Sequence, residues 1–347
     1  MESTIKRIGI ITSGGDAPGT NACIRVIARR CFDAGIEPWG IFDSWDGLIS
    51  GNVRKLERPD VAGIVQHAGT VLRSARSRLF LEPGDPQKAK DALAKFSLDG
   101  LVVIGGNGSQ AASALLADSG FPCVGVPKTI DNDLVGTEMS VGFQTAVQEA
   151  TSALDSLRAT AESHSRVMVV EVMGRHAGWI AVEAAIAGGA DIALIPEHEF
   201  SLDDVFERLR VRHDVHGRKY SIVIIAEGAM DRAKKLDARR GTRDVMGRPR
   251  LGGVGTMLAH EIERKLGWDS RCTTLGYLQR CAAPIAPDRL LATKLSDKAV
   301  DYLLAGQGGV MAGLIAGGGI EAVPLKDVVG KLKTVTDDYF RLAEIFG

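Results

Sequence analysis

Short apolar runs that stop at glycine recur along the chain. Ile8-Gly-Ile-Ile-Thr12 leads into Gly14-Gly15-Asp16-Ala17-Pro18-Gly19, and Leu101-Val-Val-Ile104 leads into Gly105-Gly106-Asn107-Gly108-Ser109. Further runs at 122–127, 166–171, 191–195, 221–226 and 271–276 have the length and missing alternation of strands buried on both faces. Between them the apolar spacing turns helical. Ala22, Ile24, Val26 and Ile27 predict a helix opening near Thr20 or Asn21. Phe143, Ala146, Val147, Ala150, Leu154 and Leu157 predict a long one over 142–161. Helices are also expected over 176–187, over 256–266, and around Leu202, Val205, Leu209 and Val211. One more is expected over 288–305, with Asp288 as its cap. The runs 310–314 and 320–323 flank Gly317-Gly-Gly319 as a hairpin.

Strand and helix alternating over the whole length predict an α/β fold of doubly wound, mostly parallel sheets. There are too many strands for one sheet of ordinary size, so two similar lobes are expected, with the active site in the cleft between them. In such sheets ligands lie outside the carboxyl ends of the strands, where the glycine turns fall. The composition is that of a globular chain: 347 residues, 45% hydrophobic, 24% charged, net charge −1. This balance gives no global attraction to nucleic acid or membrane. The basic stretch 232–250 reads as a solvated loop. Five cysteines without a CxxC spacing, and a first segment without a signal-peptide pattern, lead to an expected cytoplasmic location. Cys23, Cys31 and Cys123 read as small buried residues.

The chemistry concentrates at the ends of the apolar runs. A strand, a glycine turn and a helix N-terminus together present backbone N–H groups to a phosphate. The first glycine turn is not a P-loop, since no Lys-Ser/Thr follows Gly19, and its spacing is not that of a dinucleotide fingerprint. After the 122–127 run, Thr129, Asp131 and Asp133 occupy alternate positions, so an extended segment would point all three one way. A hydroxyl and two carboxylates on one face suit a base for an attacking hydroxyl and a holder of Mg²⁺. An Asx-rich turn fits the same residues. Arg76, Arg166, Arg175, Arg271 and Arg280 read singly as surface ion pairs. Jointly, beside two phosphate-type turns, they indicate phosphoryl transfer between phosphate-bearing molecules.

From Ile8 to about Ala322 the chain resembles the phosphofructokinase A family. The likeness rests on Gly14-Gly-Asp-Ala-Pro-Gly-Thr-Asn21, Gly105-Gly-Asn-Gly-Ser109, Pro127-Lys-Thr-Ile-Asp-Asn-Asp133, Glu171-Val-Met-Gly-Arg175 and Leu275-Gly-Tyr-Leu-Gln-Arg280. Leu251-Gly-Gly-Val-Gly255 is similar to the branch whose members use ATP or pyrophosphate. The resemblance implies transfer to the 1-hydroxyl of fructose 6-phosphate in glycolysis, with Mg²⁺. It implies a donor-binding lobe over 1–142 with 279–329 and a sugar-phosphate lobe over 143–278 with 330–347. Asp131 would be the base. Thr129, Asp133 and Lys128 would act on the sugar, the metal and the moving phosphoryl group, and Gly14 and Arg175 would steady its charge. Arg76, Ser77, Gly106, Asn107, Gly108 and Ser109 would hold the donor, with Asn107 and Asp133 at the metal. Met173, Gly174, Glu227, Tyr277 and Arg280 would bind the acceptor. Arg166 and Arg271 would reach it from a neighbouring subunit, which implies a homotetramer or homodimer with shared active sites.

The chain departs from the family pattern at several positions. Asn107 replaces an acidic residue, Tyr277 a histidine, Cys281-Ala282 a glycine pair, and Leu81 an arginine. The match to the family's effector site includes Arg25, Arg29, Arg58 and Arg158 but fails at Gly63 and His216. For the donor, the resemblance favours ATP, because Gly108 stands where pyrophosphate users carry Asp. Pyrophosphate is the alternative, because Lys128 is the residue those users carry. Sedoheptulose 7-phosphate as acceptor, or a two-lobed sugar-binding module without catalysis, are the remaining readings.

Overall fold

The computed structural model describes residues 5–75, 77, 79–80, 82, 84–233, 236 and 251–346. The chain divides into two compact units. One is Met1–Thr145 with Arg280–Lys331, the other Ala146–Gln279 with Leu332–Gly347. Most of the basic stretch read as a solvated loop lies outside the described residues, as do Arg76 and Leu81.

The first unit is organised on strands β1 (Arg7–Thr12), β2 (Glu37–Ile41), β3 (Val53–Lys55), β4 (Gly100–Gly105) and β5 (Cys123–Pro127). Strands β6 to β9, given below, belong to the other unit, and β10 (Val310–Leu314) and β11 (Ile320–Pro324) return to this one. The sheet order is β11-β10-β5-β4-β1-β2-β3. Its interior is parallel, while β2–β3 and the expected β10–β11 hairpin are antiparallel. Helices α1 (Thr20–Asp33), α2 (Ser44–Ser50), α3 (Asp85–Lys95) and α4 (Asn107–Asp118) follow in chain order.

Both faces of this sheet are covered, which is why its strands read as unbroken apolar runs. Ile8, Ile10, Val102, Ile104, Val124 and Val126 pack with α1 and with Leu291, Leu295 and Leu303. Their neighbours Ile11, Leu101, Val103 and Cys123 pack on the opposite face with Trp45, Leu93 and Leu116. Cys23, Cys31 and Cys123 are buried as expected. The strands β2 and β3 escape the hydrophobic pattern because Glu37-Pro-Trp-Gly-Ile41, next to the sheet edge, and Val53-Arg-Lys55, at it, have partly exposed positions.

The second unit holds β6 (Val167–Val172), β7 (Ile192–Leu194), β8 (Ser221–Ala226) and β9 (Ser270–Thr274) in the order β7-β8-β6-β9, all parallel. Helices α5 (Phe143–His164), α6 (Trp179–Gly188), α7 (Leu202–Arg210) and α8 (Val254–Leu266) are next in the chain. Val167, Val169, Val223 and Ile225 form a core with Val205, Leu209, Leu258 and Ile262. The amphipathic helix expected through Val211 stops one residue earlier. Val211 opens a wider π-type turn over Val211–Val215 and is 37% exposed, because that turn carries it off the buried face. The remaining helices are α9 (Leu278–Cys281), α10 (Ala286–Leu304), α11 (Leu325–Val328) and α12 (Asp337–Phe346).

Asp288 does not cap its own helix. It lies inside the first turn of α10, fully buried, and caps the start of α5 instead. Its carboxylate accepts from Gly142 N at 2.8 Å, Thr145 N at 2.7 Å and Thr145 Oγ1 at 2.6 Å. A carboxylate at a helix N-terminus satisfies orphan N–H groups and meets the positive end of the helix dipole. Asp288→Ala leaves these donors buried without an acceptor, and we expect it to lower unfolding free energy by about 3 kcal/mol. Urea denaturation of the variant beside Asp288→Asn, which keeps an acceptor oxygen, checks this; equal stability of all three proteins would contradict it.

Candidate active site

The first glycine turn follows β1, whose end is tied to β4 through Ser13 N and Ile104 O at 3.0 Å. Four successive carbonyls of this turn are engaged by side chains. Lys128 Nζ donates to Ser13 O at 3.0 Å and also to Gly15 O. Ser74 Oγ donates to Gly14 O at 2.7 Å, and Arg280 Nη1 to Asp16 O at 2.7 Å. A turn held by its carbonyls directs its N–H groups elsewhere, the arrangement of an anion nest. Gly14 has φ 79°, and its N–H makes a long 3.4 Å contact with Ala75 O. A Cβ on Gly15 would lie 2.7 Å from Arg280 Nη1, so only glycine lets this guanidinium approach the backbone.

Lys128 is 1% exposed. Burial pushes its ammonium down to about 8, assisted by Arg280 and opposed by Asp16. The side chain therefore faces the underside of the first turn.

The second turn joins β4 to α4. Gly106 is the N-cap, so Asn107, Gly108 and Ser109 form the first helical turn; Ser109 N donates to Gly106 O at 2.9 Å, and the N–H groups of Asn107 and Gly108 precede the first intrahelical bond. A Cβ built on Gly106 would lie 3.4 Å from Thr129 Cβ, and one on Gly14 would lie 3.6 Å from Ser109 Oγ. The first turn, the second turn and Thr129 therefore meet. Gly108 faces open space, with no atom within 4 Å of an added Cβ.

After β5 the chain does not continue extended, so the alternation argument for Thr129, Asp131 and Asp133 fails. Asp131 N donates to Thr129 Oγ1 at 3.1 Å, and Asn132 adopts φ 50°. Asn132 Oδ1 accepts from Ser140 N at 3.1 Å, which holds the turn. Asp131 is half-buried and Asp133 is 8% exposed. Ser77 Oγ donates to Asp46.

In the second unit, Met173, Gly174 and Arg175 follow the carboxyl end of β6, and Glu227 follows that of β8. The two ends are joined by Glu227 N to Val172 O at 2.8 Å and Gly228 N to Gly174 O at 3.0 Å. Tyr277, 76% exposed, lies just beyond β9. Arg166 and Arg271 do not lie at these carboxyl ends. Arg166 precedes β6 and Arg271 is near the start of β9, where both pair with Asp269, the latter at 2.7 Å. Six residues of strand at about 3.3 Å each place these arginines roughly 20 Å from Met173.

Two acidic residues without a predicted role shape the second unit's loops. Glu171, 1% exposed, accepts from Gly253 N at 2.9 Å and Gly255 N at 2.7 Å, capping α8. Its signal was a lone carboxylate within an apolar run. Glu197 is the other, and its position after β7 carries no such signal.

Among the described residues, no group of three or more His, Cys, Asp or Glu could hold a metal alone. Asp133 and Asn107 carry oxygen donors, the type that Mg²⁺ takes when it binds through one or two protein carboxylates and completes its shell with phosphate and water oxygens.

The fold defines the class: a doubly wound α/β protein, with two glycine turns meeting in its first unit. The family model described as Phosphofructokinase matches residues 7–303. A pyrophosphate–fructose 6-phosphate 1-phosphotransferase of Amycolatopsis methanolica is 44% identical over 342 residues, 98% of this chain and 99% of the relative. ATP-dependent 6-phosphofructokinase 3 of Streptomyces coelicolor is 44% identical over 339 residues, 97% of this chain and 99% of the relative. Among solved structures, Pichia pastoris phosphofructokinase in the T-state superposes with TM-score 0.82 at 32% identity, covering 93% of this chain and 35% of that one. The chain belongs to the phosphofructokinase family. The non-catalytic sugar-binding reading is thereby set aside.

The depressed ammonium of Lys128 has a consequence for stability. Between about pH 8 and the unfolded value of 10.5 the native state holds fewer protons at this position, so its contribution to stability rises with pH across that window. The unfolding free energy of wild type relative to Lys128→Met should therefore rise by up to about 1.4 kcal/mol per pH unit there. Parallel denaturation curves at pH 7.5, 8.5 and 9.5 would measure it; a difference independent of pH would refute it.

Proposed function

We propose that the chain transfers a phosphoryl group from ATP to the 1-hydroxyl of fructose 6-phosphate, giving fructose 1,6-bisphosphate. The observation that carries this reading is the meeting of the two glycine turns with Thr129 in the first unit, two residues from the Asp131 carboxylate. Backbone N–H groups at Gly14 and in the first turn of α4, with Ser109, would hold the donor's phosphates. Asp131 would take the proton of the attacking hydroxyl, with Thr129 and Asp133 orienting the reacting groups. Mg²⁺ held by Asp133, Asn107 and phosphate oxygens would neutralise charge on the transferring group. Arg175 would steady that charge, and Met173, Gly174, Glu227, Tyr277 and Arg280 would bind the acceptor. A guanidinium has five donors, so the bond from Arg280 to Asp16 O leaves others for a phosphate.

The donor assignment rests on residues, because ATP-using and pyrophosphate-using relatives are equally similar at 44% identity. The open space beside Gly108 leaves a path for ATP's α-phosphate. Lys128, the residue that favoured pyrophosphate, is directed to the carbonyls of Ser13 and Gly15.

Because that space is open, Gly108→Asp should fold normally and act on the donor alone. A carboxylate about 4 Å from a phosphate costs roughly 1–4 kcal/mol, which is about one to three orders of magnitude in kcat/KM for ATP. Pyrophosphate should suffer less. Assays of wild type and variant with both donors, and with fructose 6-phosphate and sedoheptulose 7-phosphate as acceptors, decide the matter. Rapid wild-type turnover with pyrophosphate and negligible turnover with ATP would reverse the donor assignment.

The distance between Arg166 and Met173 supports active sites completed by a second subunit, since one small acceptor cannot span both ends of β6. Asp131→Asn should lower kcat by about 10²–10⁴-fold while leaving acceptor binding largely intact. Arg166→Ala should raise the acceptor KM far more than the donor KM. Mixing the two variants under subunit exchange should restore part of the activity, since a hybrid contains one intact site; mixtures no more active than their components would exclude sharing.

A further inference from the structure

We propose that the C-terminal segment 332–346 fixes the loop bearing Met173, Gly174 and Arg175 through Glu197, which makes Glu197 a positioning residue for the acceptor. The identity of that acceptor rests on the function proposed above; the mechanical link does not.

Glu197 joins three parts of the second unit. Its Oε1 accepts from Gly178 N at 2.9 Å and from Val335 N at 3.0 Å, and its Oε2 lies 3.0 Å from Gly178 N. Gly178 is the N-cap of α6, the helix that follows the loop. A Cβ at Gly178 would lie 2.4 Å from Ile195 Cβ and 3.0 Å from Glu197 Oε2, so the backbone itself is pressed against the carboxylate. At its other end the loop is held by Gly228. Gly228 N donates to Gly174 O, and a Cβ on Gly228 would come within 2.2 Å of Arg175 O.

A loop with glycine at 174 and 178 has little conformational preference of its own, and Gly174 is at φ 142°. Its shape is therefore imposed by the two anchors. One of them is shared with the tail. The tail's hold on this region does not depend on a single bond. Trp179 Nε1 donates to Lys333 O at 3.0 Å, its ring packs 5.6 Å from that of Tyr339, and Lys333 Nζ lies 5.5 Å above it. His198, next to Glu197, stacks on Phe340 with ring centroids 4.4 Å apart. Val335 and Ala343 are buried beneath the segment. The tail thus grips both the residue after the loop and the carboxylate that orders it.

Two substitutions separate this link from general stability. Glu197→Ala removes the shared acceptor. Val335→Pro removes the tail's donor, at the cost of a fixed φ at a buried position, and leaves the acceptor for Gly178 N in place. Both should raise the acceptor KM, the first by about tenfold and the second by less, with the donor KM changed by under about twofold. Glu197→Gln, which keeps one acceptor oxygen, should stay near wild type. Amide hydrogen exchange of the full-length proteins should quicken at 173–178 in Glu197→Ala and Val335→Pro, while β1 and β4 stay protected. Should Val335→Pro fold poorly, Trp179→Phe, which removes the bond to Lys333 O and keeps an aromatic ring, serves as the second variant. A lower Vmax with both KM values unchanged, or unaltered exchange at 173–178 in Glu197→Ala, overturns the proposal. Wild type inert toward fructose 6-phosphate would defeat the functional reading instead, and the exchange data would still decide the link.

Discussion

The candidate site depends on a buried ammonium group bonded to main-chain carbonyls. Lys128 would cost free energy in the interior without acceptors, and Ser13 and Gly15 supply them. With Ser74 on Gly14 O and Arg280 on Asp16 O, the turn after β1 has four successive acceptors engaged by side chains. The turn's shape is thereby set from within, while Ser13 N is bonded to Ile104 O and Gly14 N makes only a long contact with Ala75 O. Preorganised dipoles of this kind need no rearrangement when charge moves, which suits a reaction governed by positioning and electrostatics. The loop of the second unit is ordered on the same principle with the opposite sign. There a carboxylate, Glu197, gathers N–H groups.

Much of this was legible in the sequence because both faces of each sheet are covered. Ile8, Val102 and Val167 lie in unbroken apolar runs that could be placed as strands, and glycine marks where each run turns into a helix. The two-sheet α/β architecture followed from that pattern. The partly exposed strand β2 and the edge strand β3 did not, because they lack it. Side-chain direction was less legible. Asp288 looked like a cap for its own helix, yet burial beside Gly142 and Thr145 gave it a different helix to serve. The Thr129 to Asp133 spacing suggested a flat face, whereas Asn132 turns the chain there. Long-range acceptors such as Glu171 and Glu197 leave no local periodicity at all, since their partners lie 82 and 138 residues away.

The position of Arg166 and Arg271 separates motif from geometry. Both arginines stand at the ends of apolar runs in the sequence, which groups them with Arg175. A parallel sheet puts them at its other end. Their mutual anchor, Asp269, keeps two like charges together on neighbouring strands while each remains able to present unused donors.

The outer strands of the first unit's sheet bear on the protein's behaviour at high concentration. Parallel strands leave regularly spaced hydrogen-bonding groups open wherever a sheet ends, and a flat apolar border invites another copy to add on. Here neither border is part of the parallel interior. One is β3, three residues long and bearing Arg54 and Lys55; the other is β11, with Glu321 within it and Pro324 at its end. Short length, charge and proline are the usual means of blunting an edge. The two antiparallel additions therefore act as selvedges, keeping a strongly apolar weave from joining with its own kind while the chain folds and circulates in a crowded solution.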